Sequence, residues 1–221
     1  MKIGLCHKDI GSISRGGVCR LYRSLAIGLR LLGEDVFVIS SRADWSPSGI
    51  TVIAVNPEED KLTYSQGIAR ILPALRLDVV ECSSWGFELL SLLRSEERRV
   101  RVVVRGDLTA ATLGAAQYAP FEKELLEKAD SVICVSRFAR EDIQRQYAGK
   151  APHVIHNGVD TSTFKVLEEP PHKLTTGYRL LLGEQRHERV SLSKKPLSLL
   201  SQGLQIVWVG KPTRMKGFDL L

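Results

Sequence analysis

The sequence has no run of about 18 apolar residues, so it predicts no membrane-spanning helix. Its apolar opening, Met1 to Leu5, reaches His7-Lys8-Asp9 almost at once and is too short for a secretory signal. The simplest compartment is the cytoplasm, with peripheral membrane contact as the one extension that reading admits. Cys6, Cys19, Cys82 and Cys134 are scattered, with no CxxC pair and no zinc-like spacing. Each lies in or beside an apolar segment and reads as a small buried hydrophobe. Aromatic residues are only 6% of the chain and do not interleave with the basic ones, which argues against nucleic acid as a partner. The GxGxxG dinucleotide fingerprint is missing. Ser40-Ser41-Arg42 stands where a dinucleotide enzyme would carry an acid after its second strand. These two absences argue against a nucleotide-dependent oxidoreductase or epimerase. No internal repeat is visible.

What is present is ordinary for a globular protein: 221 residues, 43% hydrophobic and 25% charged. The length suits one well-buried domain and part of another. With 31 basic and 25 acidic residues the formal charge is +6, which favours anionic partners such as sugar nucleotides or lipid headgroups. The charged run Glu96 to Arg101 is mixed in sign and reads as a solvated loop.

Short apolar runs alternate with amphipathic stretches, the pattern of a parallel α/β sheet. Strands are expected at Lys2–Cys6, Asp35–Ser40, Thr51–Val55, Asp78–Glu81, Val100–Val104, Ser131–Val135 and His153–His156. Val18, Leu21, Leu25, Leu29 and Leu32 recur at helical spacing and Gly33 ends that helix. Further helices are expected at Tyr64–Leu75, Phe87–Leu93, Phe121–Lys128 and Arg137–Tyr147. Residues 1–165 thus read as one Rossmann-like doubly wound domain. Residues 166–203, opening with Glu168-Glu169-Pro170-Pro171, read as a linker with a surface insert. Residues 204–221 start a second domain with the strand Gln205–Val209.

In such a sheet, ligands collect beyond the carboxyl ends of the strands. Gly16-Gly17 heads the first helix, where paired glycines let a phosphate or sugar approach backbone N–H groups. The same glycines could instead serve only the geometry of the turn. Arg105 and Asp107 follow a strand end and could bind sugar hydroxyls or stabilise developing charge. Alternatively, they form a pair that fixes the loop, with Asp107 capping the next helix. Ser136 is a substrate contact or simply a helix cap, and Asn157-Gly158 is a tight turn at the same edge. Gly210 and Lys211, with Lys216 beyond them, have the make-up of a diphosphate clamp: a strand end, a glycine and two spaced cations.

Taken in order, five stretches resemble glycosyltransferase family 4, retaining enzymes of the GT-B fold. They are Gly16-Gly17 with its helix ending in Leu32-Gly33-Glu34-Asp35-Val36; Asp78-Val79-Val80-Glu81 with Trp85-Gly86; Ala129 to Ser136; Val154 to Asp160 with Phe164; and Val209-Gly210-Lys211 with Lys216-Gly217. The resemblance implies a nucleotide-sugar donor held by the second domain and a carbohydrate, lipid-linked or small-molecule acceptor held by the first. It implies no metal and no other cofactor, since cations and helix dipoles neutralise the leaving diphosphate. On it, Arg105 and Asp107 are the catalytic candidates, and Gly16, Gly17, Ser136, Asn157 and Gly158 contact substrate. Gly210, Lys211 and Lys216 then face the diphosphate. Two departures stand out. Asp107 occupies the place where many relatives carry a histidine, and Lys211 replaces a commoner arginine. Because the sequence stops about one turn into the second domain's first helix, the resemblance also implies a truncated donor half. This chain is then incomplete as a transferase and admits a partner chain that supplies the rest. The alternative is a stand-alone carbohydrate- or partner-binding module derived from an acceptor domain.

Overall fold

A computed structural model describes residues 1–13, 16–56, 60–149, 151–159 and 161. All of them fall within the unit Met1–Lys165. The expected linker, the strand Gln205–Val209 and the cations Lys211 and Lys216 lie outside the described residues.

Among the described residues, seven parallel strands form one sheet: β1 (Lys2–Cys6), β2 (Asp35–Ser40), β3 (Ile50–Ala54), β4 (Val79–Ser83), β5 (Arg101–Gly106), β6 (Ser131–Cys134) and β7 (His153–Val154). Their order across the sheet is β3-β2-β1-β4-β5-β6-β7. Strands 1 to 3 step to one side; the chain then crosses back and places β4 on the free flank of β1. The switch point of this Rossmann-like α/β sheet therefore lies between β1 and β4, where ligand crevices form in such folds.

The helices are α1 (Gly17–Leu31), α2 (Lys61–Leu75), α3 (Leu90–Leu93), α4 (Ala119–Lys128) and α5 (Arg137–Tyr147). Helix α1 buries Cys19, Tyr22 and Ala26, spaced three and four apart along one face. It ends at Gly33, whose φ of +88° suits glycine. Tyr22 and Ala26 pack on Ile3, Leu5, Val36 and Val38, which form one core cluster. Alternation along β1 sends Cys6 to the opposite face. There it joins Val80, Cys82 and Val104 under the other helices in a second, larger cluster. All four cysteines are buried and free.

Three elements differ from expectation for local reasons. The helix expected from Phe87 begins only at Leu90. Phe87 takes a left-handed backbone (φ +59°) that no helix residue can hold, and this turns the chain so that Glu88 points inward with no exposed surface. Strand β7 covers two residues rather than four: Ile155 still donates its N–H to the Cys134 carbonyl at 2.8 Å, and the residues after it leave the ladder at an exposed edge. Helix α2 starts three residues earlier than the apolar pattern indicates, since Asp60 caps it by accepting from the Thr63 N–H at 2.7 Å. Among the described residues no helix is long and apolar enough to cross a membrane.

Candidate functional site

A cleft of about 340 Å³ opens at the carboxyl edge of the sheet. Gly17, Ser83, Arg105, Asp107, Val135 and Asn157 line it, contributed by α1 and by the ends of β4, β5, β6 and β7. Val18 and Leu21 give it an apolar flank. Four residues singled out from the sequence alone thus meet in one cavity: Gly17, Arg105, Asp107 and Asn157.

The glycines at the head of α1 separate the two readings the sequence left open. Gly16 caps the helix with φ −65° and ψ 147°, an extended conformation open to any residue. A Cβ added to Gly16 or Gly17 would meet no described atom within 4 Å. Neither packing nor backbone conformation in the described residues calls for glycine here. Both residues are exposed, and the first N–H groups of α1 carry the positive end of the helix dipole.

Arg105 is only 8% exposed, and its Nε donates to Glu81 Oε1 at 2.6 Å. Burial alone would lower the guanidinium pKa, but the Glu81 carboxylate outweighs this and raises it, so Arg105 stays charged. The bland alternative of an Arg105–Asp107 pair is not the arrangement observed. Nor does Asp107 cap a helix, for the turn after it is capped by Thr109, whose hydroxyl accepts from the Thr112 N–H at 3.2 Å, and the next helical segment, Ala116–Tyr118, is capped at Ala115. Asp107 stands exposed at the cleft with its carboxylate available.

The loop bearing Asp107 is fixed from beneath by two carboxylates, each 1% exposed. Glu122 of α4 accepts from the Ala110 N–H at 2.7 Å, the Ser84 hydroxyl at 2.7 Å and the Tyr147 hydroxyl at 2.6 Å. Burial and this bond to Glu122 push the Tyr147 pKa up, keeping its hydroxyl a donor. Asp142 of α5 accepts from the Thr109 N–H at 2.9 Å and from the Thr109 and Thr112 hydroxyls at 3.0 and 2.6 Å. Burial would raise the Asp142 carboxyl, yet these hydrogen bonds prevail and hold it below its usual range. Buried acids so fully satisfied make a loop rigid.

Ser136 caps α5, its hydroxyl accepting from the Ala139 N–H at 3.1 Å, which is the bland reading of that residue. The cap leaves its neighbour Val135 on the cleft wall. His156 Nδ1 donates to the Val135 carbonyl at 3.0 Å and so fixes Asn157 over the cleft, with Gly158 exposed beside it.

Sequence reading missed the supporting residues Ser83, Glu88, Glu122 and Asp142. It had Glu81 only as part of a motif, not as the partner of Arg105. It also missed a cation held among rings. Lys61 Nζ lies 4.6, 4.7 and 4.2 Å from the ring centroids of Trp85, Phe87 and Tyr118, and donates to the Trp85 carbonyl at 2.7 Å. Burial lowers the Lys61 pKa, with Glu88 and Glu122 partly offsetting it. No residue spacing announces this cluster, because its members come from the start of α2, the loop after β4 and the turn Ala116–Tyr118. Among the described residues, no group of three or more His, Cys, Asp and Glu side chains is placed to hold a metal.

The fold and the cleft define a Rossmann-like α/β domain with its ligand edge at the carboxyl ends of the strands. The family model for Glycosyltransferase Family 4 matches residues 15–163, and the chain belongs to that family. A search of curated proteins found no match. Among solved structures, a sucrose-phosphate synthase from Thermosynechococcus elongatus is 18% identical, with a TM-score of 0.54 over 70% of this chain and 47% of its own. An E. coli trehalose-6-phosphate structure bound with UDP-2-fluoro glucose is 12% identical, with a TM-score of 0.53 over 74% of this chain and 50% of its own. A glycosyltransferase from Rickettsia africae is 19% identical, with a TM-score of 0.50 over 74% and 45%. At these identities the likeness is one of fold. The chain spans about half the length of these solved relatives.

Proposed function

We propose that residues 1–165 form the acceptor-side half of a glycosyltransferase that moves a sugar from a nucleotide-sugar donor to an acceptor hydroxyl. The observation that carries this reading is the pair Gly16-Gly17, whose open space serves no packing or conformational need among the described residues. What remains is close approach by a ligand to the N-terminal N–H groups of α1, which suit an oxyanion or a hydroxyl oxygen.

Around that approach the roles divide by chemistry. Arg105, fixed by Glu81, offers a permanent cation and N–H donors to developing negative charge. Asp107 accepts hydrogen bonds from sugar hydroxyls and Asn157 both donates and accepts. In this reading Gly210, Lys211 and Lys216 take the donor diphosphate. The E. coli trehalose-6-phosphate structure of the same fold is bound with UDP-2-fluoro glucose, which supports a nucleotide sugar as donor.

Binding mapped by backbone amide NMR tests the reading. Probes are UDP-glucose and GDP-mannose as donors, and D-glucose, D-mannose and myo-inositol as acceptors. At least one probe is expected to shift the amides of Gly17, Ser83, Asp107 and Asn157 together, and Asp107→Ala to weaken that binding at least tenfold while melting like the wild type. Shifts centred away from these residues, or none with any probe, would overturn it.

A further inference from the structure

The first loop of the sheet, just past β1, carries an imidazole held against a buried carboxylate. His7 Nδ1 lies 3.0 Å from Glu88 Oε1. The same oxygen also accepts the Lys8 N–H at 3.2 Å, and because a carboxylate oxygen only accepts, the proton of the short contact belongs to His7 Nδ1. In the neutral ring Nε2 is then the hydrogen-bond acceptor. Glu88 cannot easily move. It has no exposed surface, and a Cβ on Gly86 would lie only 2.0 Å from Oε1, so the carboxylate is packed directly beneath the Gly86 backbone. The ring is braced on its other side by Tyr22 of α1, with centroids 5.9 Å apart.

Register puts this imidazole beside the cleft. Cys6 of β1 pairs with Cys82 of β4, so His7 and Ser83 are the next residues along two neighbouring strands. Cys6 and Cys82 share the larger core, so strand alternation sends the residues that follow them to the α1 face, where the cleft lies. Ser83 lines the cleft, and its hydroxyl is buried with no hydrogen-bond partner among the described residues. Such a group costs stability unless something meets it. His7 keeps 16% of its side chain exposed, enough to be reached.

We propose that His7 is a further substrate-contacting residue: its Nε2 accepts a hydrogen bond from the hydroxyl of a polyol acceptor, and Ser83 Oγ pairs with a neighbouring oxygen of the same ligand. Glu88 is the positioning residue that fixes the tautomer. This rests on the acceptor-side reading above and names the side of the cleft that takes the acceptor, between β1 and β4. The imidazole acceptor and the serine hydroxyl together select a vicinal diol over a single alcohol.

Long-range proton–nitrogen NMR on the full chain reads the tautomer directly. The wild type is expected to carry the His7 proton on Nδ1, and Glu88→Gln to lose part of that population because an amide presents N–H as readily as oxygen. On adding D-glucose, D-mannose or myo-inositol, the His7 Nε2 resonance is expected to move together with the Ser83 amide. His7→Gln, whose amide reaches the place of Nε2, keeps polyol affinity within about threefold. His7→Asn, which reaches only the place of Nδ1, loses tenfold or more. A wild-type proton on Nε2 overturns the proposal, as does equal affinity in the two variants. Polyol shifts at Ser83 and Asp107 that leave His7 unmoved remove His7 and leave the acceptor-side reading standing. No shift anywhere in the cleft removes both.

Discussion

The two ends of the sheet solve the same problem with opposite means. At the amino end, carboxylates in water satisfy the first N–H groups of the strands. Asp78 accepts from Lys2 at 2.7 Å, and Asp130 accepts from Val102 at 2.7 Å while pairing with Arg98. Asp130 is 39% exposed and Asp78 is exposed. At the carboxyl end, Glu122, Asp142 and Glu88 bind loop N–H groups from positions that water hardly reaches. Exposed acids fasten a backbone at little desolvation cost, so an unspecialised edge uses them. Buried acids cost more and tolerate less, and they occur where the loops must keep one shape around a cleft.

That contrast breaks most visibly at Glu122. Glu122→Ala strands the Ala110 N–H and the Ser84 and Tyr147 hydroxyls in the interior, and about 3–5 kcal/mol of stability is expected to be lost. Urea unfolding measures it, and a loss below about 1 kcal/mol would erase the difference between the two ends. Asp142→Asn comes next, at about 2 kcal/mol at neutral pH, since a charged acceptor is lost. The sign of its pH dependence follows from the depressed carboxyl. Folded Asp142 titrates below its ordinary value of 3.8, so its contribution is complete above that value and fades as pH falls through the folded pKa. The stability gap between wild type and Asp142→Asn is therefore expected to be widest near neutrality and to close in acid.

Lys61→Met sharpens the comparison at a milder level. It keeps the apolar stem among Trp85, Phe87 and Tyr118 but removes the cation, for an expected loss of about 1 kcal/mol in thermal unfolding. The smallest effect belongs to the amino end. Asp130→Asn retains an oxygen for the Val102 N–H and gives up the charge that faces Arg98 at a partly exposed edge, an expected change under about 1 kcal/mol that shrinks further in high salt.

Much of this was readable in the chain. β-Branched runs such as Val102-Val103-Val104 and the apolar face of α1 carry a periodic signal, and periodicity is local. The strand-end residues Gly17, Arg105, Asp107 and Asn157 were legible for a topological reason: parallel strands bring all their carboxyl ends to one edge. The layer beneath was not. Glu122 reaches Ala110 across 12 positions and Tyr147 lies 25 further on, so nothing in the spacing links them. Phe87 defeats its helix pattern by a left-handed turn that tertiary packing imposes. The His7–Glu88 contact spans 81 positions and was likewise silent until the sheet brought β1 beside β4.

The open space above Gly16 and Gly17 favours a ligand over mere turn geometry, and Gly17→Ala tests this most directly. Alanine fits the helical backbone there and meets no described atom, so the variant is expected to melt at or slightly above the wild type. Its added methyl stands where the ligand must approach, so affinity for whichever donor or acceptor probe shifts the cleft amides is expected to fall at least tenfold. Stability held while binding is lost is the predicted result; Gly17→Ala binding that probe as tightly as the wild type would contradict the account.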